Sequence, residues 1–437
     1  MSTDLLTKHE RDDAIAHEGI AYDLARRTVA DDTCRVCGGL LHRFIDLGLS
    51  PLCDRLLSLD QLESAETFYP LDVKVCGQCW LAQHHEYVAP TQIYPEYANS
   101  SSMSESLLAH ASAYVEDAVR RFRLGARSLV VEIGSNDGYL LRSVIRHGIP
   151  CLGIEPARIL AREAQHAGIR TIPAFFRERL AAALVARGMS ADLVVANNCM
   201  TEMSDLHDFA TGVATLLKRD GVATFEVPHL MRLMERNQFD TIYHENLWYF
   251  SLHAIEDVLG RGGLRVFDVE ELSTQGGSLR VFCCGKGSDR AEEPSVDRVR
   301  RAESAAGLCD VTTYGAFGER VFETKRKLLE MLVILKGRGC RIAAYGAPGK
   351  GCMLLNYCGI RGDILDYTVD RNPHKHGHYL PGTRIRVEPV DRLFEAPPDW
   401  VLILPWNLEQ EIVSQLSSLR ARGTKFIVPI PEPRVVI

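Results

Sequence analysis

The chain has 437 residues, 46% of them hydrophobic, which predicts two or three domains because a single core rarely grows beyond about 250 to 300 residues. Its 50 basic and 57 acidic residues give a net charge of −7, and there is no long basic block. This balance argues against nucleic acid or an anionic membrane surface as a general partner. We therefore expect the partner to be a small molecule.

Residues 1–30 are polar and lack the apolar core of a signal peptide. No window approaches the roughly 18 uninterrupted apolar residues that span a bilayer. We therefore expect a cytoplasmic protein with no membrane partner. Cysteines in that reducing compartment occur as thiols or metal ligands rather than as disulfides. The sequence leaves the oligomeric state open, a monomer included.

Four of the cysteines form two Cys-x-x-Cys pairs within residues 31–95, which we predict as a small zinc-binding domain: Cys34, Cys37, Cys76 and Cys79. Each turn aims two sulfurs at one point, and four thiolates complete the tetrahedral shell of a structural zinc ion. The alternative is that these are four unrelated buried thiols, which would require the repeated Cys-x-x-Cys spacing to have arisen by chance. A catalytic zinc is disfavoured because four thiolates leave no open coordination position for a substrate.

Residues 96–286 alternate between helical and strand patterns, and we predict them as the second domain. An amphipathic helix is predicted over 104–122 and a crossover helix over 139–147. Apolar strands are predicted over 128–133, 151–154, 191–198 and 221–227. This alternation predicts a parallel, doubly wound sheet whose ligand lies at the carboxyl ends of the strands.

A glycine-rich turn directly follows the first of these strands, and an acid, Glu155, follows the second. A carboxylate there can accept both ribose hydroxyls, and the glycines let the backbone approach the amino acid part of S-adenosylmethionine (SAM). This turn, residues 134–138 and called the SAM turn below, lacks the motifs of dinucleotide and phosphate loops, which favours SAM over NAD or ATP. A structural turn in an empty Rossmann-like domain is the alternative. The residues assigned to SAM are Glu132, Gly134, Ser135, Asn136, Gly138, Glu155, Asn197 and Asn198.

Residues 287–437 are predicted to form a helical linker and a second Rossmann-like domain. A strand that begins at Arg341 runs into a glycine-rich turn carrying Lys350, and a strand over 364–370 ends in an acid. Lys350 in an exposed turn could pair with a phosphate or pyrophosphate, whereas a solvated lysine on a tight turn is the alternative. The expected fold class is therefore α/β, with a small zinc domain followed by two Rossmann-like domains.

The order of these motifs resembles the zinc-containing sugar C-methyltransferases, which make branched deoxysugars for antibiotics. The resemblance covers nearly the whole chain after residue 31. Besides the cysteine pairs and the SAM turn, it rests on segments 239–246, 276–281, 345–351, 356–360 and 369–375.

The resemblance implies that a nucleoside-diphosphate 4-keto-deoxysugar binds between the SAM domain and the C-terminal domain. A base removes the proton next to the ketone, and the enolate carbon attacks the SAM methyl group. The implied catalytic positions are Glu202, Tyr243, His244, Glu245 and Asn246, and the implied substrate-binding positions are Tyr97, Asn99, Met103, Gln275, Tyr345 and Lys350.

The chain departs from the family pattern at three histidines. The family motif Tyr-His-Glu-His ends here in Asn246, so a carboxamide, which cannot accept the proton, stands in place of the family's base. Glu202 and Gln275 stand where the family has its other two histidines. The aromatic stretch that lines the family's sugar pocket corresponds to residues 97–104, which lose most of the rings. The scaffold therefore matches the family, whereas the pocket differs.

Glu202, with its pKa raised by burial, is the predicted replacement base, and the alternative is that it caps the following helix. His244 is the second candidate, and the alternative is that it forms a hydrogen bond within the domain interface. Tyr243 and Glu245 are neighbours with suitable chemistry.

The predicted function is SAM-dependent C-methylation of a nucleotide-linked ketodeoxysugar with a rearranged base, in branched-sugar or natural-product biosynthesis. The alternative is a divergent family member that catalyses O-methylation or another SAM-linked reaction, or that binds SAM and a nucleotide sugar without catalysis. A zinc-ribbon protein that binds nucleic acid would need a basic surface, which the net charge of −7 does not supply.

Overall fold

The computed structural model describes residues 32–93 and 100–436. Its first domain is an antiparallel sheet followed by a short helix, α1, Pro90–Ile93. The strands contributed by this domain are β1 Leu41–Ser50, β2 Tyr69–Cys76 and β3 Ala82–His84. In β2 the residues Leu71, Val73 and Val75 are fully buried and alternate with more exposed ones, so one face of the sheet packs inward.

The second domain is a sheet with helices on its faces, as predicted. Its first four strands are β4 Val130–Ile133, β5 Cys151–Ile154, β6 Thr171–Ile172 and β7 Ala191–Asn197, and its later ones are β8 Leu217–Pro228, β9 Trp248–Tyr249, β10 Leu264–Leu272 and β11 Ser278–Gly285. Its helices are α2 Glu105–Phe122, α3 Leu141–Arg146, α4 Arg158–His166, α5 Glu178–Val185, α6 Leu206–Leu216, α7 Leu230–Glu235 and α8 Leu252–Arg261. The predicted helices and strands are all present; β8 is longer than predicted, and most of the others are slightly shorter.

The central sheet of this domain has the strand order β10-β11-β8-β7-β4-β5-β6. The prediction of a wholly parallel sheet is wrong at one strand, because β11 runs antiparallel to both of its neighbours. The cause is local: β10 and β11 are joined by the short turn Thr274–Gly276, and a hairpin connection reverses the chain direction. The carboxyl ends of β4, β5, β7 and β8 still lie at one edge of the sheet.

Strand β9 belongs to the second domain in sequence but pairs with β3 of the first domain. Ala82 lies opposite Tyr249, and Gln83 lies opposite Trp248. The zinc-binding region therefore shares a sheet with the SAM domain, which the sequence did not predict because the pairing joins residues far apart in the chain.

The third domain begins with two helices, α9 Pro294–Ala305 and α10 Val311–Gly337. Its strands are β12 Ile342–Tyr345, β13 Thr368–Asp370, β14 Val387–Pro389, β15 Trp400–Ile403, β16 Lys425–Val428 and β17 Arg434–Val436, in the order β14-β13-β12-β15-β16-β17. The strands are parallel apart from β17. Its remaining helices are α11 Gly349–Cys358, α12 Arg392–Glu395, α13 Glu409–Gln415 and α14 Ser417–Ala421.

The long helix α10 packs against strand β1, so the first and third domains share one hydrophobic core. Phe44 contacts Tyr314 edge-on and also contacts Phe317, with ring centroids 5.2 Å apart in both pairs. Among the helices in the described ranges, none is both long enough and apolar enough to span a bilayer. The three domains are thus joined by a shared sheet on one side and a shared core on the other.

Substitution of Gly138 tests how tightly the SAM turn is packed. The φ of Gly138 is +78°, and a Cβ added there would lie 2.2 Å from Ile169 Cδ1. We expect Gly138→Ala to lower the free energy of unfolding by about 2 to 4 kcal/mol, from left-handed strain plus overpacking. Gly168→Ala is the matched control, because its φ is +82° and nothing lies within 4 Å. Equal losses in urea titrations of the two variants would contradict the packing argument.

Candidate active site and zinc site

The four predicted zinc ligands converge on one point. Their sulfur atoms all lie within 4.8 Å of one another, with Cys34 Sγ 3.7 Å from Cys79 Sγ and Cys37 Sγ 3.4 Å from Cys76 Sγ. A tetrahedral zinc with Zn–S bonds of about 2.3 Å requires S–S separations of about 3.8 Å. The four thiols therefore fit a closed structural zinc site without rearrangement of the backbone.

The surroundings of these sulfurs suit thiolates. Peptide N–H groups of Val36 and Gly39 donate to Cys34 Sγ and Cys37 Sγ, each at 3.4 Å. The Gln83 side chain donates to Cys34 Sγ at 3.1 Å. Donors of this kind stabilise the charged ligands and fix their orientation around the metal.

A cavity of about 1630 Å³ lies between the three domains and holds most of the predicted SAM and catalytic positions. Pockets for single small ligands usually measure roughly 300 to 1,000 Å³, so this one has room for two ligands side by side. The predicted residues that line it are Gly134, Asn136, Glu155, Asn197, Asn198, Glu202, Tyr243, Asn246, Gln275 and Lys350.

The SAM turn is held in place by Glu155 and by a close approach at Gly134. One oxygen of Glu155 accepts the Asn136 N–H and the other accepts the Ala157 N–H, both at 2.8 Å. Burial raises the pKa of this carboxyl group. Gly134 has φ +68°, and a Cβ there would lie 2.8 Å from Cys199 Cβ, so only glycine fits. Each oxygen of Glu155 retains a second lone pair for a ribose hydroxyl.

Several buried oxygens beside this turn lack a hydrogen-bond partner among the described residues. They are both carboxylate oxygens of Glu132, the Ser135 hydroxyl and the amide oxygens of Asn197 and Asn198. Burial, with the neighbouring charges of Glu155 and Asp137, raises the pKa of Glu132 well above its ordinary value. Asn197 and Asn198, at the end of β7, line the cavity, and their amide oxygens are acceptors suited to the α-ammonium group of SAM, so these residues fit this cofactor.

Glu155→Ala tests the assignment of the ribose contact. We expect SAM and S-adenosylhomocysteine to bind about 10- to 100-fold more weakly. The variant loses the carboxylate that would accept the ribose hydroxyls and the hydrogen bond that holds Asn136 of the turn in place. Isothermal titration calorimetry measures the change. Glu163→Ala, which removes an exposed carboxylate from the adjacent helix α4, should leave both affinities unchanged. Wild-type affinity in Glu155→Ala would overturn the assignment.

Glu202 lies in the cavity wall at the end of a single helical turn, Met200–Glu202. It does not cap helix α6, because Asp205 occupies that position and accepts the N–H groups of His207 and Asp208 at 2.9 and 3.0 Å. The structural alternative for Glu202 is therefore excluded. Glu202 lines the same cavity as Gly134 and Asn136 of the SAM turn.

Tyr243, Asn246 and Gln275 also line this space. The Asn246 side chain donates to the Thr241 carbonyl at 3.3 Å. Gln275 has φ +52°, which a glutamine adopts only under strain, and strained backbone of this kind clusters at functional sites.

His244 and Glu245 lie behind the wall rather than in it. The His244 ring is in edge contact with Tyr69 and His84, and its Nε2 pairs with the Pro70 carbonyl at 3.1 Å. Burial lowers the pKa of His244. This geometry supports the interface role that was the alternative for His244, because its contacts join the SAM domain to β2 and β3.

Glu245 is fully enclosed, and one of its oxygens accepts the Asp54 N–H at 3.3 Å. Burial, together with the neighbouring Asp54 carboxylate, raises the pKa of Glu245. The side chain therefore stands as a buried acid between the first and second domains, without direct access to the cavity.

Lys350 lies in the first turn of α11, half-buried, and not in the exposed turn that was expected. Its ammonium group contacts the Asn407 side chain and lies 4.8 Å from the centroid of the Trp406 ring. Trp406 Nε1 donates to Asp240 at 2.6 Å. Burial lowers the pKa of Lys350 to about 8, while the charge of Asp240 opposes this shift.

Two predicted substrate positions lie elsewhere. The Met103 side chain is 57% exposed and does not line the cavity, because the turn Ser101–Met103 directs Ser101 inward instead. Tyr345 is a core residue of β12, and its hydroxyl donates to Gln415 at 3.0 Å. Tyr97 and Asn99 lie outside the described residues.

The assignments for the SAM turn also separate into two groups. Glu132, Ser135 and Gly138 are buried and are not among the residues that line the cavity. Among the lining residues that sequence reasoning missed are Arg35, Cys199 and Trp248. Cys199 directly follows the predicted Asn197 and Asn198, Trp248 lies two residues after Asn246, and Arg35 lies inside the first cysteine pair. These positions are the signals that could have identified the three residues.

Three family models match the chain in the order expected. They are a zinc binding domain over residues 34–94, a methyltransferase domain over 107–269 and a C-methyltransferase C-terminal domain over 273–431. The chain is 36% identical to the C-methyltransferase NovU from Streptomyces niveus over 409 residues, which is 93% of this chain and 97% of NovU.

Solved structures align with a smaller part of the chain. A SAM-dependent methyltransferase from Clostridium acetobutylicum is 11% identical and covers 45% of this chain and 98% of its own, with a TM-score of 0.34. The magnesium protoporphyrin IX methyltransferase from Synechocystis with bound SAM is 15% identical and covers 44% and 87%, with a TM-score of 0.31. On the family models and the relationship to NovU, the chain belongs to the zinc-containing, SAM-dependent sugar C-methyltransferases.

Proposed function

We propose that this enzyme methylates a carbon atom of a nucleotide-linked 4-keto-deoxysugar, in branched-sugar or natural-product biosynthesis, with Glu202 as the base. One observation carries the proposal: Glu202 shares a single cavity with Gly134 of the SAM turn and with Lys350 of the C-terminal domain. The volume of about 1630 Å³ supports a site for SAM and a second, bulky ligand together.

The proposed mechanism begins with the Glu202 carboxylate, which accepts the proton from the carbon next to the ketone. The electrons of that C–H bond move onto the ketone oxygen, where the Tyr243 hydroxyl and the Asn246 amide provide donors from the same wall. Gly134 and Glu155 would hold SAM, which would supply the methyl group to the enolate carbon; the electrons of the S–C bond would remain on the sulfur of the product S-adenosylhomocysteine. Glu202 then releases its proton to water.

Lys350 is the proposed contact for the diphosphate of the substrate. It stands at the amino end of α11, where the helix dipole and the ammonium group both favour an anion. An anion bound there would stabilise the charged ammonium, which burial disfavours. The Trp406 ring and Asn407 hold the side chain in position.

The test is incubation with methyl-labelled ¹³C-SAM and a panel of dTDP- and UDP-linked 4-keto-6-deoxysugars. We expect a product whose NMR spectrum places the labelled methyl group on carbon. Without SAM, the same sugar in D₂O should exchange the proton next to its ketone, because Glu202 acts before methyl transfer. No transfer to any of these sugars would contradict the proposed substrate class.

A second candidate is a related reaction at the same site, such as O-methylation. It is favoured by the two carboxamides, Asn246 and Gln275, that line the cavity where the family has histidines. Amides can orient a hydroxyl group but cannot deprotonate a carbon acid. A labelled methyl signal at the chemical shift of a methoxy group, without exchange in D₂O, would support this candidate.

A further inference from the structure

Arg35 belongs to the turn that carries two of the zinc ligands, and it also lines the cavity. It stands between the ligands Cys34 and Cys37, and its side chain lines the cavity. Its peptide N–H donates to Gln83 Oε1 at 3.2 Å, and the same Gln83 side chain donates to Cys34 Sγ at 3.1 Å. The backbone of Arg35 is therefore linked through the Gln83 side chain to the zinc ligand Cys34.

The guanidinium group of Arg35 is held in one orientation. It lies 3.9 Å from the centroid of the Trp248 ring and donates to the His84 carbonyl at 2.9 Å. Trp248 in turn donates from Nε1 to the carbonyl of Met203 at 2.5 Å. Because Met203 directly follows Glu202, this chain of contacts connects the zinc turn to the wall that carries the proposed base.

Arginine stacked on an aromatic ring is pre-organised, and its planar fork matches the oxygens of a phosphate group. Among the described residues that line the cavity, the zinc-binding domain contributes one basic side chain other than histidine, that of Arg35. The C-terminal domain likewise contributes one, that of Lys350. The zinc-binding domain and the C-terminal domain therefore each place a cation in the wall of the cavity.

We propose that Arg35 binds the diphosphate group of the substrate, and that the zinc ion positions this arginine. The identity of the anion rests on the proposed function. Zinc occupancy and diphosphate binding are then thermodynamically linked, so each strengthens the other, while SAM binding is independent of both.

The first experiment measures binding of dTDP, UDP and S-adenosylhomocysteine to the zinc-loaded protein by calorimetry. Arg35→Gln should weaken binding of the diphosphate that the wild type accepts by at least about 10-fold, with Arg35→Lys intermediate. The zinc content of Arg35→Gln and the affinity of this variant for S-adenosylhomocysteine should match those of the wild type. Arg43→Gln, which alters an exposed arginine of β1 outside the cavity wall, is the matched control and should change nothing.

The second experiment follows zinc release to a chromophoric chelator. Bound diphosphate should slow release from the wild type and from Arg43→Gln but not from Arg35→Gln. Wild-type diphosphate affinity in Arg35→Gln would overturn the proposal and leave the proposed function standing. Equal losses of zinc, S-adenosylhomocysteine and diphosphate binding would show a purely structural role. If the wild type binds neither nucleotide, the proposed substrate class fails, and the role of Arg35 fails with it.

Discussion

Glu202→Gln is expected to lose turnover by about 10²- to 10⁴-fold while SAM still binds with wild-type affinity. Glutamine keeps the shape of glutamate and one of its acceptor oxygens but cannot accept a proton from carbon. The side chain lies in the cavity wall, and Asp205 caps the following helix, so the substitution removes no cap. Methyl transfer from labelled SAM gives the rate, and calorimetry gives the SAM affinity.

The proton-exchange step distinguishes a base from a binding residue. In D₂O without SAM, Glu202→Gln should no longer exchange the proton next to the ketone, whereas the wild type should. Glu178→Gln, an exposed carboxylate in the first turn of α5 outside the cavity wall, is the control and should keep both activities. Full turnover in Glu202→Gln would exclude its role as the base.

Cys76→Ser is expected to remove zinc binding and to lower the unfolding temperature more than any other single change considered for this protein. Structural zinc contributes roughly 10 to 16 kcal/mol of apparent binding free energy in zinc-finger peptides, and that energy stabilises the fold. Cys76 is fully buried, and its sulfur lies 3.4 Å from that of Cys37. Zinc content measured by mass spectrometry should fall from one ion per chain to a small fraction.

The effect should extend beyond the zinc-binding domain. Strand β3 pairs with β9 of the SAM domain, and β1 packs against α10 of the C-terminal domain, so loss of the metal loosens elements of all three. Cys309→Ser is the matched control, because Cys309 is exposed and is not a ligand. One zinc ion per chain and an unchanged unfolding temperature in Cys76→Ser would contradict the assignment of this ligand.

The fold was predictable wherever a local pattern carries the information. The spacing of the cysteines predicted the set that converges within 4.8 Å. The alternation of apolar and polar segments predicted two helices and four strands of the SAM domain and two strands of the C-terminal domain. Strand direction was missed at β11, where a hairpin after β10 replaces a crossover. The pairing of β9 with β3 was missed as well, because two short strands far apart in sequence carry no shared signal.

The candidate site was predictable in part, for the same reason. Glu155 and Gly134 follow strands of a recognisable motif, and both line the cavity. His244 and Glu245 stand in the same motif as Tyr243, yet they lie behind the wall, because the direction of each side chain depends on what packs against that segment. Met103 and Tyr345 were predicted by alignment with a motif alone, and their side chains are directed to solvent and to the core.

The sequence by itself determined the zinc ligands, the SAM turn, the order of the domains and the membership of a family. These features depend on residue types at short spacing, which the chain records directly. Tertiary structure alone decided which side chains share the cavity: Glu202 lies in its wall, Lys350 enters from the C-terminal domain and Arg35 enters from the zinc turn. The physical reason is that this cavity is formed by packing between three domains, and contacts between distant segments leave no periodic pattern in the sequence.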